Sequence, residues 1–78
     1  MNGTRILIVA GDRPQAEAWR MANGFSPAEV TYVGSTHTIL GLGPGYAVVR
    51  VGSWARRVDI GPINEAIRCA GIRELGER

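Results

Sequence analysis

Three residue types in this 78-residue chain could together do chemistry: Ser35, His37 and either Asp12 or Asp59 are the members of a hydrolytic nucleophile, base and orienting carboxylate. Nothing in their spacing orders them, so no catalytic residue is expected. His37 is the only histidine and Cys69 the only cysteine, with no partner at ligand spacing, so neither a metal site nor a cofactor is expected. Cys69 falls beside Arg68 in a helical segment, on the flank of its apolar stripe, and reads as a small packed residue.

Phosphate chemistry has more material but no complete motif. Gly11-Asp12-Arg13-Pro14 follows an apolar run and opens a helix, where free amides and an arginine can hold an anion. It lacks the spaced glycines of a dinucleotide loop and the Lys-Ser/Thr pair of a P-loop. Asp12 also satisfies those amides as a cap and repels an anion. Gly41-Leu42-Gly43-Pro44-Gly45 precedes a strand instead of following one, and reads as a turn. With nine Lys plus Arg, every one of them Arg, the chain has no lysine for imine chemistry.

Recognition by arginine and tryptophan remains. Trp54, Arg56 and Arg57 lie just past a strand, and these residue types are enriched in binding hot spots. Arg57 also stands where it can pair with Asp59. Trp19, one helical step off an apolar stripe, is the further candidate contact. A net charge of +2, with the arginines interleaved among seven acids, disfavours nucleic acid as the partner.

The elements that must position these residues are short. Arg5 to Ala10 is a continuous β-branched run suited to a strand buried on both faces. Asp12 with Gln15 three residues on, and Pro14 in the first turn, starts a helix ending at Asn23-Gly24. Its expected buried stripe is Ala18, Met21, Ala22 and Phe25. Ser26 to Glu29 reads as one turn, Val30 to Gly34 as a short strand, and residues 35–45 as mostly loop. Tyr46 to Val51 is a third strand. A last helix from about Gly61 or Pro62 to Ala70 buries Ile60, Ile63, Ile67 and Ala70 and stops at Gly71. The charged tail 73–78 is expected to fray.

The expected fold is therefore a single α/β domain over residues 1–78, ordered β-α-β-β-α. It has a three-stranded parallel sheet in order 2-1-3 and two main helices. A loop in place of the second crossover helix predicts one thinly covered sheet face, and from that a homo-oligomer. Glycines end all three strands. Each either frees the chain to turn or opens the carboxyl edge of the sheet to a ligand. On the second reading, Gly11, Asp12, Arg13, Ser35, His37 and Ser53 form a nucleotide or phosphometabolite site.

A chain this short buries only about 60–65% of its unfolded surface, and one cysteine cannot staple it internally. No apolar run reaches the roughly 18 residues of a membrane span, and no secretory signal is read before the first strand.

Across most of its length the chain resembles small accessory proteins encoded by bacteriophages of high-GC actinobacteria. The resemblance lies in Arg5-Ile-Leu-Ile-Val-Ala-Gly-Asp-Arg-Pro-Gln-Ala-Glu-Ala-Trp19, in Leu40-Gly-Leu-Gly-Pro-Gly45 before a valine-rich strand, and in Val51-Gly-Ser-Trp54 before the last helix. Arginine in place of every lysine agrees with a GC-rich coding source. Such proteins are similar to truncated Rossmann-like units without a nucleotide-binding loop, and their motifs transfer no functional residue. The resemblance implies a non-enzymatic interaction protein, located in the host cytoplasm, that binds a host or phage protein.

Overall fold

The computed structural model describes residues 5–42 and 45–77. Residues 43–44 of the expected turn and Arg78 of the expected tail lie outside them. The elements run β1 (Arg5–Ala10), α1 (Arg13–Ala22), β2 (Val30–Tyr32), β3 (Tyr46–Val51), α2 (Ile60–Ala70) and β4 (Arg73–Glu77), with short 3-10 turns at Thr36–Thr38 and Trp54–Arg56.

All strands are parallel, in the order β2-β1-β3-β4. The expected 2-1-3 core is present, with β1 pairing along its full length with β3. The expectation of three strands and a frayed tail is corrected. Arg73 to Glu77 pairs with β3 as a fourth strand, with a register irregularity opposite Val48/Val49 that leaves Leu75 as the extra residue. Composition hid it, because the segment has one large apolar residue. Leu75 packs half-buried on the α1 face, while Glu74 and Glu77 on the other face find partners in Arg50 and Trp54.

Each sheet face has its own core. Leu7, Val9 and Val48 meet Ile63 and Ile67 of α2, together with Ile39 from the connection after β2. Ile8, Ala10, Val49 and Val51 meet Ala16 of α1, with Trp19, Tyr32 and Leu75 around them. The expected thin face does not exist, and with it goes the ground for expecting a homo-oligomer. The connection that replaces a crossover helix lies on the same face as α2 and inserts Ile39, leaving Leu7 and Val48 at 0% exposure.

Of the stripe expected in α2, Ile63 and Ile67 are buried and Ile60 and Ala70 are half-buried against the same core, and the helix ends on Gly71 at φ 71°, a left-handed conformation that glycine adopts at no steric cost. The stripe expected in α1 is corrected. Ala18 and Ala22 are exposed and Met21 is 65% exposed, whereas Ala16 is buried. Trp19 lies on the sheet side, stacked on Phe25 at 5.6 Å. The helix is rotated because the larger ring takes the sheet-facing position, and the three aliphatic groups Ala18, Met21 and Ala22 do not outweigh it.

Both sheet edges are blunted against further strand addition. β2 has three residues, and β4 carries an irregularity, charged side chains and an amide, Gly76 N–H, that donates to Glu74 at 3.1 Å.

Candidate functional site

The carboxyl ends of the strands bring together most of the residues singled out from the sequence. Chain leaves β1 toward α1 on one face and β3 toward α2 on the other. The divergence point, where open parallel sheets bind ligands, therefore lies between β1 and β3.

Here that crevice is filled by a side chain. The Gln15 Oε1 atom accepts from Gly11 N at 2.9 Å and from Ser53 N at 3.1 Å, and Nε2 donates to Ser53 Oγ at 3.1 Å. The glycines on either side make room for it. A Cβ at Gly52 would stand 2.4 Å from Gln15 Oε1, and one at Gly11 would stand 2.0 Å from Ser53 Oγ. From sequence, Gln15 reads only as the far half of a capping box. In the structure it passes over Asp12 and joins two strands.

Between β1 and β2 the same edge is closed by Arg57. Its guanidinium donates to Ala10 O at 3.2 Å, Val33 O at 2.5 Å and Gly34 O at 3.0 Å, and forms a two-point ion pair with Asp59 at 2.9 and 3.0 Å. The side chain is 8% exposed. The hydrogen bonds from Arg57 hold the Asp59 carboxyl below the ordinary carboxylate range, and the same bonds raise Arg57. Arg57 thus stands inside the fold, away from the exposed contact patch in which the sequence places it, because three convergent carbonyls at the strand ends need donors.

The other named residues are dispersed. The Asp12 carboxylate caps α1 by accepting from Gln15 N at 3.0 Å. Exposed Arg13 lies over the Tyr32 ring at 5.0 Å, and Arg57 approaches the same ring at 5.6 Å. The Ser35 hydroxyl caps the following turn by accepting from His37 N at 3.3 Å, and His37 is exposed, with no ion pair among the described residues. No group of three His, Cys, Asp or Glu side chains converges among the described residues. Cys69 is exposed, a correction to its reading as packed, because α2 turns it away from the sheet.

Trp54 is half-buried and built into a network that the sequence did not announce. Its Nε1 donates to Glu77 at 2.9 Å, and the Arg50 guanidinium lies 4.8 Å over its ring. Arg50 also bonds Glu74 through Nε and Nη2, at 3.1 and 2.9 Å, and Asn64 at 2.7 Å.

What remains outward-facing past β3 is Arg56, exposed, and Val58, fully exposed. Val58 stands between Arg57 and Asp59, whose side chains are anchored to each other and to the sheet. An apolar residue in full solvent on so constrained a turn is the feature sequence reading missed. Only the Arg57–Asp59 spacing hinted at it.

No protein-family model matches the chain, and neither a curated protein nor a solved structure matches it. Among the described residues, no helix is long and apolar enough to cross a membrane.

Proposed function

We propose that this chain is a non-enzymatic interaction protein that self-associates and recognises a protein partner through the turn after β3. Arg56 and Val58 are its direct contacts, and Trp54 backs them. In keeping with the resemblance given above, the partner is a host or phage protein met in the host cytoplasm.

The observation that carries this reading is the presentation of Val58. A fully exposed valine is held between two residues fixed by five side-chain hydrogen bonds from Arg57. A turn held in one conformation loses little freedom on binding, so a small contact surface converts efficiently into affinity. Exposed Arg56 beside it selects a partner whose apolar pocket has an acidic rim.

The alternative, a nucleotide or phosphometabolite at the carboxyl edge, is the weaker reading. Gln15 occupies the crevice, and the Asp12 carboxylate, which repels an anion, already takes the Gln15 amide.

Affinity capture with the intact chain tests the proposal. Wild type should retain a stoichiometric protein, and Val58→Asp or Arg56→Glu should release it without changing the melting temperature. Retention unaffected by both changes would overturn the site. A thermal-shift screen of nucleotides separates the alternative. Ligand at 100 times its Kd should add about 2.7 kcal/mol, and a flat screen removes that reading.

A further inference from the structure

A second surface lies at the other end of α2. The turn after Ile39 and the C-terminal half of α2 enclose an open apolar groove of about 220 Å3, lined by Ile39, Leu40, Leu42, Ala66, Cys69 and Ala70. That volume is below the roughly 300–1,000 Å3 of ordinary small-molecule sites. It suits one or two inserted side chains. Leu40 on the groove's own wall is 63% exposed, so the patch carries a knob as well as a hole.

We infer that this groove is a twofold interface in which Leu40 of each copy enters the groove of the other. The inference rests on the self-association in the reading above and specifies its surface. A closed dimer needs a self-complementary patch, with each contact made twice. The apolar part meets that need through Leu40 and the groove. The charged part meets it through Glu65 and Arg68, an exposed ion pair on the outer side of the same half of α2. Antiparallel approach of two α2 helices sets Glu65 of one copy toward Arg68 of the other, and the reverse pair forms by symmetry. Ala66, Cys69 and Ala70 are small, which lets the helices come close.

The placement also leaves the recognition turn free. α2 has 11 residues, about 16 Å at 1.5 Å per residue, and the turn bearing Arg56 and Val58 precedes its N-terminus. A dimer joined at the C-terminal halves therefore presents two recognition turns outward.

Sedimentation velocity over a concentration series, with the full chain, tests this. Wild type should dimerise, and Leu40→Glu should raise the dimer Kd by roughly tenfold or more, while circular dichroism, and the melting temperature at dilutions where both chains are monomeric, stay unchanged. Glu65→Arg and Arg68→Glu chains should each dimerise weakly alone and recover a dimer when mixed. A thiol-to-thiol cross-linker should join wild type through Cys69 but not Leu40→Glu. A monomer at every concentration, or a dimer indifferent to Leu40→Glu and to the charge exchange, overturns the inference. A monomer that still captures its partner through Val58 would overturn the dimer and leave the recognition turn standing.

Discussion

Gln15 and Ser53, 38 positions apart, are joined by two hydrogen bonds of 3.1 Å across the divergence point of the sheet. The carboxamide supplies the acceptor for two main-chain amides, Gly11 and Ser53, that the parallel ladder leaves without one. In effect the fold places its own side chain at the point where open parallel sheets in general bind ligands.

Gln15→Ala is therefore expected to destabilise the chain by about 1–3 kcal/mol, the cost of leaving partly buried donors unmet. Gln15→Glu keeps an acceptor and should lose less. Gly52→Ala should also destabilise, because its φ of 60° and the approach to Gln15 both oppose a side chain. Urea denaturation reads all three. A Gln15→Ala midpoint equal to wild type would remove the bridge from the account of stability.

Arg57 and Arg56 are neighbours with opposite assignments. Arg57→Ala strands the carbonyls of Ala10, Val33 and Gly34 and leaves Asp59 unpaired, and should cost about 1–3 kcal/mol. Lysine at this position should restore only part, because one ammonium cannot reproduce the planar fork. Arg56→Ala should stay within about 0.5 kcal/mol of wild type and act on partner binding alone. Equal stability losses at the two positions would contradict the structure.

The sequence made the order β-α-β and the central place of β1 legible, because an unbroken β-branched run has few other uses. It also showed the Ile60, Ile63, Ile67 stripe and the Gly71 stop. It concealed β4, since a strand held by Glu74, Leu75 and Glu77 against residues of other elements has no local signature. The α1 stripe misled for a related reason. Helical spacing fits Ala18-Met21-Ala22 as well as Ala16-Trp19, and only the sheet surface beneath decides. At the carboxyl edge, the residue types were visible but their direction was not. Gln15, Ser53 and Arg57 have the composition of a ligand site and are spent on the chain's own amides and carbonyls.

Stability should depend on acid through Asp59. Its carboxyl is held below the unfolded value, first by the Arg57 hydrogen bonds. A lowered carboxylate pKa contributes stability that is present above the unfolded value of about 3.9 and is lost as pH falls through the lower folded value. Asp59→Asn should flatten that part of the acid limb, measured as denaturation midpoints from neutral pH downward. An Asp59→Asn curve parallel to wild type throughout would show the pair to be energetically silent.

The last prediction concerns β4, which stands or falls with Arg50. This side chain is 13% exposed, pairs with Glu74, reaches Asn64 and covers the Trp54 ring, while Trp54 holds Glu77. Glu74 is 43% exposed, so the ion pair alone is screened and contributes little. Together with the ring contact the loss in Arg50→Ala should be about 1–2 kcal/mol. Its distribution matters more than its size. Amides of 73–77 should lose hydrogen-exchange protection, and Trp54 emission should shift to the red, while β1 amides stay protected because β1 lies on the far side of β3. If β4 were held by Leu75 and the ladder alone, Arg50→Ala would leave the 73–77 amides as slow as in wild type.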